Sequence, residues 1–309
     1  MYVGANDGNM YAIEKKSGKI AWAFKTGGEI LSSPAEYAGS IVFGSADGKL
    51  YRVSSKGKQV WACNTGGEIC AAPLVDGEFI YVGGRNARFF AVQANTGKIA
   101  WKNEDAAYNI ESKASSDANH VYFGAWDGNL YCLDKKTGKT AWKSPGPTNQ
   151  VVKDNLARYH APADNGPVAV DDRVFIADRG SEAGSYTQKG DFETTISSDC
   201  TAIGLSENRV ALYLRLVRGP VTKIDLAGHE LWESKTRTGR VPVSPLEKAG
   251  VVYVCSNKGK LSALDAANGQ EKWTYQVTPQ LYVMAGIALD SNIAYTCGLD
   301  GVVTAIKFP

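Results

Sequence analysis

Short runs of alternating apolar and polar residues, separated by turns that contain glycine, recur along the whole chain. In the clearest copy, the runs at residues 41–44 and 50–53 flank the pair Asp47-Gly48. Asp-Gly between two alternating runs is a strong signal for a β-hairpin. The pattern therefore predicts an all-β chain made of antiparallel strands joined by tight turns.

Tryptophan marks the period of this pattern. Six of the seven Trp stand four residues after a glycine and lie about 40 residues apart, or about twice that where one copy lacks Trp; they are Trp22, Trp61, Trp101, Trp142, Trp232 and Trp273. A period of about 40 residues with strand-like content is typical of a β-propeller, in which each repeat forms one four-stranded blade.

The second strand of each repeat can be counted along the chain. These strands are expected at residues 2–4, 41–44, 80–83, 121–124, 174–177, 210–213, 251–255 and 293–297. The count predicts a single eight-bladed propeller domain over residues 1–309, with a seven-bladed ring as the second choice. The first and last blades are expected to be incomplete, and an upstream segment is expected to supply the strands that they lack.

Three short motifs connect this repeat to a known family. They are Tyr-Val-Gly-x-x-Asp-Gly-x-x-Tyr-Ala-Ile, which begins at Tyr2, then Thr-Gly-Lys-x-x-Trp, which ends at Trp142, and Thr-Gly-Gly-x-Ile-x-Ser-Ser-Pro, which begins at Thr26. The combination resembles the PQQ-like (pyrroloquinoline quinone, quinoprotein-dehydrogenase-like) β-propeller repeat over nearly the whole chain. The resemblance implies that each repeat Trp docks against the neighbouring blade, as a large aromatic side chain would.

The family contains enzymes and scaffolds, so the fold alone does not decide the function. Quinoprotein dehydrogenases carry two adjacent cysteines beside the quinone, but no two of the six cysteines here are adjacent, and the catalytic and calcium-binding acids have no matching motif. The resemblance therefore implies a non-catalytic ligand- or protein-binding module or scaffold of the bacterial cell envelope, without a cofactor. The alternatives are a quinone-dependent oxidoreductase that uses PQQ with calcium, and the propeller half of a larger enzyme.

Two non-catalytic branches resemble the chain. One contains the outer-membrane protein assembly lipoproteins, which act as scaffolds. The other contains envelope propellers that follow a metallophosphoesterase domain, and the runs at residues 201–206 and 281–285 are similar to that branch.

Composition narrows the class of partner and the compartment. The formal net charge is only +2, from 34 Lys and Arg and 32 Asp and Glu, so we expect no nucleic-acid partner. No apolar run reaches the roughly 18–20 residues of a membrane-spanning helix, and the N-terminus shows no secretion signal. Because relatives are mostly extracytoplasmic, we expect a periplasmic or cell-envelope location, with the signal segment outside this sequence.

The cysteines and histidines give no sign of a metal site. No Cys-x-x-Cys occurs, and the three histidines lie in different repeats. Cys255 and Cys297 occupy a position that holds Gly in other repeats, so we expect buried small side chains. Cys63 and Cys70 flank a loop and could form a disulfide.

Departures from the repeat mark the candidate site, because the scaffold does not require them. The largest is an insertion at about residues 144–165, between blades 4 and 5, which is rich in Pro, Asn and charged residues. In a propeller this connection and the hairpin tips open on the same face, around the mouth of the channel. We therefore expect the insertion to lie over that mouth, with Arg158, Tyr159 and His160 among its side chains.

The hairpin tips on this face add further candidates. Arg85 and Arg179 stand where other repeats have Asp-Gly, Trp126 is the one Trp outside the repeat pattern, and Arg215 and Arg218 lie in the corresponding stretch of the sixth repeat. Because arginine stacks on aromatic rings and binds carboxylate or phosphate with two hydrogen bonds, these residues predict a site for an anionic or planar ligand. Alternatively, the side chains pair with nearby Asp or Glu or face solvent.

Two connections replace the Gly-Gly loops of the first repeats with larger side chains, Tyr108 in one and Tyr282 in the other. They are expected either to line a pocket with Trp126 or to pack under the insertion, and packing is favoured. A protein or a small polar or anionic ligand is expected at the complete set of candidate residues, which is Arg85, Trp126, Arg158, Tyr159, His160, Arg179, Tyr108 and Tyr282.

Overall fold

The computed structural model describes residues 1–152, 158–279, 286–290, 292–298 and 300–308. The strands in these residues form eight antiparallel sheets. The fold is therefore all-β, an eight-bladed β-propeller, and the seven-bladed alternative is wrong. Six sheets have four strands, and the first and last have three, which confirms the prediction that these two blades are incomplete.

Two compact units divide the chain. The first comprises Met1–Pro145 and Asp154–Ala169, and the second Gly146–Lys153 and Val170–Pro309. The strands of the first unit are β1 (Tyr2–Gly4), β2 (Asn9–Ile13) and β3 (Ile20–Lys25) in blade 1; β4 (Ala35–Tyr37), β5 (Ser40–Gly44), β6 (Lys49–Ser54) and β7 (Gln59–Asn64) in blade 2; β8 (Leu74–Asp76), β9 (Phe79–Gly83), β10 (Phe89–Gln93) and β11 (Ile99–Asn103) in blade 3; and β12 (Ser115–Ser116), β13 (His120–Gly124), β14 (Asn129–Asp134) and β15 (Thr140–Pro145) in blade 4.

The remaining elements follow α1 (Pro147–Val151), and β16 has residues in both units. The strands are β16 (Val168–Val170), β17 (Arg173–Ala177), β18 (Ala183–Thr187) and β19 (Phe192–Ser197) in blade 5; β20 (Cys200–Leu205), β21 (Ala211–Leu216), β22 (Val221–Asp225) and β23 (Glu230–Glu233) in blade 6; β24 (Leu246–Lys248), β25 (Val251–Cys255), β26 (Lys260–Asp265) and β27 (Glu271–Gln276) in blade 7; and β28 (Ala288–Asp290), β29 (Ile293–Cys297) and β30 (Val303–Lys307) in blade 8.

In the Asp-Gly hairpin of blade 2, the aspartate side chain accepts hydrogen bonds that stabilise the turn. Gly48 has a φ of +82°, which glycine adopts without steric cost. Asp47 Oδ2 accepts hydrogen bonds from the Tyr51 hydroxyl (2.6 Å) and from the Gly27 backbone N–H (2.9 Å) in the preceding connection. One carboxylate therefore fixes its own hairpin and the loop that precedes its blade.

A tryptophan seam joins successive blades within each unit. The Trp61 ring lies so close to Gly97 that a Cβ there would be 2.7 Å from the ring, and Trp61 Nε1 donates to the Ala94 carbonyl oxygen at 2.9 Å. The same arrangement of ring on glycine occurs at three further seams, Trp22 on Gly57, Trp101 on Gly138 and Trp232 on Gly269.

The other two repeat tryptophans make ring contacts. Trp273 stacks on Phe308 of blade 8, with ring centroids 5.5 Å apart. Trp142 is tilted against Tyr122 of its own blade at 6.0 Å.

One register position, here called the inner small-residue position, lies near the end of one strand in every blade, six residues before its partner on the next strand. It holds glycine, alanine or cysteine in seven blades and arginine in blade 6; its residues are Gly4, Gly44, Gly83, Gly124, Ala177, Arg215, Cys255 and Cys297. The second strand of blade 6 was expected at residues 210–213 but runs over Ala211–Leu216. The sequence predicts Arg215 at a hairpin tip, but in the structure it lies inside strand β21.

Candidate functional site

Arg85 lies at the hairpin tip of blade 3 between two carboxylates. Its Nη1 donates to Glu68 Oε2 at 2.9 Å and its Nε to Glu111 Oε1 at 2.6 Å. Glu68 and Glu111 belong to the connections that precede and follow blade 3. These two carboxylates raise the pKa of the Arg85 guanidinium above its already high ordinary value, because they favour the charged form.

Trp126, at the tip of blade 4, shares one of these carboxylates. Its Nε1 donates to Glu111 Oε2 at 3.0 Å, and its backbone N–H donates to the Asn109 carbonyl oxygen at 2.9 Å. Glu111 thus uses one oxygen for Arg85 and the other for Trp126. We call the set Glu68, Arg85, Glu111 and Trp126 the Glu111 network.

Tyr108 lies next to this network in the same connection. The Arg158 guanidinium stacks over its ring, with Cζ 4.1 Å from the ring centroid. Both side chains are exposed, and Tyr159 is 73% exposed. The Glu111 network together with Tyr108, Arg158 and Tyr159 forms what we call the blade 3–4 surface, which combines aromatic rings with paired charges.

The 144–165 insertion packs at its described ends. In the first unit, Ala161 and Ala163 are fully buried, and the Pro162 carbonyl oxygen lies where a Cβ at Gly124 would be. His160, just before them, is half-buried. Arg158 is the residue of the insertion that contacts Tyr108, which stays 42% exposed.

The start of the insertion is a short helix that the sequence did not predict. In the second unit, Thr148 in α1 donates to Asp178 through its backbone N–H (2.6 Å to Oδ2) and its hydroxyl (2.7 Å to Oδ1). Burial raises the pKa of the Asp178 carboxyl, although these donors act in the opposite direction.

The remaining candidate residues belong to the second unit or lie outside the described residues. Arg179 belongs to the second unit, where it is half-buried and its carbonyl oxygen accepts a hydrogen bond from Arg240 Nη2 at 2.9 Å. Tyr282 lies outside the described residues. Arg218 is exposed, whereas Arg215 is fully buried.

Comparison with known families decides the affiliation. The family model PQQ_2, described as "Outer membrane protein assembly factor BamB", matches residues 1–69 and 127–306, which is well over half of the chain. The chain belongs to this family. The resemblance to PQQ-like propellers is thereby confirmed.

Two curated members of the BamB family are similar to parts of the chain. The outer membrane protein assembly factor BamB of Burkholderia pseudomallei is 31% identical over 142 residues, which is 44% of this chain and 36% of that protein. The BamB of Nitrosomonas eutropha is 35% identical over 79 residues, 25% of this chain and 19% of that protein. Each match thus spans well under half of the relative's length.

Solved structures agree on the fold. BamB from Moraxella catarrhalis matches with a TM-score of 0.78 at 20% identity, over 100% of this chain and 93% of that one. Quinohemoprotein alcohol dehydrogenase from Comamonas testosteroni matches with a TM-score of 0.72 at 15% identity, over 96% of this chain and 68% of that one. At these identities the likeness extends to the propeller and not to chemistry.

The described residues of this BamB-family chain do not fit a PQQ–calcium site. All six cysteines are free thiols, and the sequence offers no adjacent pair of them. Within the described residues, no group of three or more His, Cys, Asp or Glu side chains is placed to hold a metal ion. The arginine that was a candidate for an anion, Arg85, already has two carboxylate partners.

No helix in the described part of the chain is long and apolar enough to cross a membrane.

Sequence reasoning missed the two acids that organise the blade 3–4 surface. Glu68 and Glu111 stand in connections, and only the fold brings them to the tips of the next blades. A usable signal existed in the alternation of an acidic connection with a basic or aromatic tip along blades 3 and 4. For Arg85, the pairs with Glu68 and Glu111 match the second of the two alternatives that the sequence leaves open, which is pairing with nearby acids.

Proposed function

We propose that the chain is a non-catalytic, protein-binding propeller of an outer-membrane protein assembly system in the bacterial envelope. We further propose that a protein partner docks on the blade 3–4 surface. Membership of the BamB family supports the first statement. The observation that carries the second is the exposure of Tyr108, in the same connection as Glu111, and of Tyr159, next in sequence to the Arg158 that stacks on Tyr108.

Aromatic and arginine side chains favour a protein partner over a small ligand. Tyr, Trp and Arg are the residues most enriched among those that dominate protein–protein binding energy. Trp126 presents this chemistry at a hairpin tip, Tyr108 in the connection before it and Arg158 in the 144–165 insertion. Because hydrogen bonds or stacking already orient these side chains, less conformational entropy is lost when a partner binds.

The charges of the surface argue in the same direction. A small anion would have to displace Glu68 or Glu111 from Arg85, and both carboxylates bind at hydrogen-bond distance. A protein partner can contact the pair without breaking it. Rim charges of this kind affect the rate and specificity of association more than the affinity.

Site-specific photocrosslinking tests the proposal. A photoreactive amino acid replaces Tyr159, which is 73% exposed, in the chain produced in its own organism. We expect an adduct with a component of the outer-membrane protein assembly system, identified by mass spectrometry. The matched control replaces Ile20 on β3, which is 60% exposed and lies outside the blade 3–4 surface.

A second variant separates docking from chance proximity. Trp126→Ala removes a ring that is bonded to Glu111, so we expect roughly a tenfold weaker adduct from Tyr159 if the surface binds the partner. Equal adducts from Tyr159 and Ile20, or no effect of Trp126→Ala, would show that the partner docks elsewhere.

A further inference from the structure

Arg215 is the exception among the inner small-residue positions. On β21 it pairs with Ala202 and Val221, in the register that places glycine, alanine or cysteine in the other seven blades. A long cationic side chain therefore stands at a position where five of the other blades bury a small residue. Its exposed fraction is 0%.

The guanidinium of Arg215 finds no hydrogen-bond partner among the described residues. Its Nε, Nη1 and Nη2 are all buried and unpaired within the described structure. Buried polar groups in proteins nearly always have a partner, which can be an ordered water or ion. Three buried nitrogen atoms of one charged group without a protein partner therefore point to a binding site for a small acceptor.

The neighbouring groups do not balance the charge. The thiols of Cys200 and Cys255 act on the guanidinium electrostatically, but burial raises the pKa of Cys200 to about 12 and that of Cys255 to about 11. Both are therefore neutral near pH 7. Burial lowers the pKa of Arg215 only to about 10, so the guanidinium keeps its proton there. No carboxylate among the described residues forms an ion pair with it.

We propose that Arg215 binds a small inorganic anion, chloride or an oxyanion such as phosphate, in the core of the second unit beside Cys200 and Cys255. An unpaired charge in a low-dielectric interior is strongly unfavourable, and a bound anion removes that cost. The guanidinium offers a planar fork of donors suited to such an anion. Because Arg215 has no exposed surface, a macromolecular carboxylate does not reach it in this conformation.

Thermal unfolding at constant ionic strength tests the site. The purified chain is dialysed into sodium gluconate, whose anion is too large for the buried position, and gluconate is then exchanged for chloride or phosphate. We expect the Tm of the wild type to rise by about 3–6 °C at an anion concentration far above Kd, since the anion binds only the folded chain. Chloride and phosphate are titrated separately, so the difference between their responses identifies the anion class.

Two variants isolate Arg215. Arg215→Leu should abolish the response and still fold, because an apolar residue of similar volume often replaces a buried charge without loss of stability. Arg218→Leu removes an exposed arginine of the same hairpin and should keep the full response. An identical response in Arg215→Leu and the wild type would overturn the proposal.

If the anion is bound too tightly to exchange during dialysis, its release on unfolding can be measured directly. Wild-type protein desalted into gluconate is unfolded in guanidinium gluconate, and the released chloride or phosphate is measured by ion chromatography. About one anion per chain supports the site. No release together with no response of Tm would refute it, whether or not Arg215→Leu folds.

Discussion

The tryptophan seam makes a quantitative prediction at Gly97. Gly97 and Gly18 have nearly the same backbone conformation, with φ of +70° and +69°. A Cβ at Gly97 would meet the Trp61 ring at 2.7 Å, whereas a Cβ at Gly18 would meet no atom within 4 Å. Gly97→Ala and Gly18→Ala therefore share the backbone cost and differ in the steric clash.

The two costs can be separated in size. Placing an alanine in the left-handed region costs roughly 1–2 kcal/mol at either position. Forcing an extra methyl group against a packed ring adds about 1–3 kcal/mol, and Trp61 has little room to move because it is only 8% exposed. We therefore expect Gly97→Ala to lower the free energy of unfolding by about 2–5 kcal/mol and Gly18→Ala by about 1–2 kcal/mol.

Urea unfolding followed by far-UV circular dichroism measures both variants without relying on tryptophan fluorescence. The double variant Gly97→Ala with Trp61→Ala gives a further check, because removing the ring removes the clash. Its cost should fall short of the sum of the single costs by about 1–3 kcal/mol. Equal effects of Gly97→Ala and Gly18→Ala, or strict additivity in the double variant, would refute the steric reasoning.

Three further predictions concern single polar or backbone positions. Ser112 Oγ donates to the Gly124 carbonyl oxygen (2.9 Å) and accepts from its N–H (3.0 Å), so Ser112→Ala should cost about 1–3 kcal/mol in urea unfolding, and a cost below 0.5 kcal/mol would contradict the bond. Burial raises the pKa of Asp178, so its negative charge disfavours the folded state above that pKa, and this cost disappears as the pH falls through it. The wild type therefore gains stability relative to Asp178→Asn as the pH is lowered from 7 to 4. A stability difference that stays constant over this range would contradict the assignment. Ala87 has a φ of +58° where other hairpins have glycine, so Ala87→Gly should raise the free energy of unfolding by about 1 kcal/mol, and a loss of stability would show that the alanine methyl packs favourably.

Local signals were sufficient for the number of blades and for most strand limits. The Trp period and the Asp-Gly turns placed seven of the eight second strands within one residue of their observed bounds. The eighth was placed too early because the apolar run of blade 6 continues through Arg215 to Leu216. Because arginine is usually exposed, the sequence predicts a turn at Arg215, which is in fact buried within the strand.

Features that depend on contacts between distant residues could not be predicted. Helix α1 has only five residues, too few for a readable period, and Asp178, thirty residues later, holds its first turn. Glu111 binds Arg85 and Trp126 because the fold brings a connection between two hairpin tips. To predict such pairings one must know how neighbouring blades align with each other, and no single sequence motif contains that information.

At the hairpin tips, the residue that holds the turn in place differs from the residue that is free to vary. Asp47 holds its turn and the loop at Gly27, and in blade 3 Asn86 fastens its tip through a hydrogen bond to the Thr65 carbonyl oxygen at 3.0 Å. The residue beside it, Arg85, takes no part in holding its own turn and bonds instead to Glu68 and Glu111 of the neighbouring connections. Residues at such tips can be substituted during evolution without loss of the blade's fold, so the same scaffold can come to bind different partners.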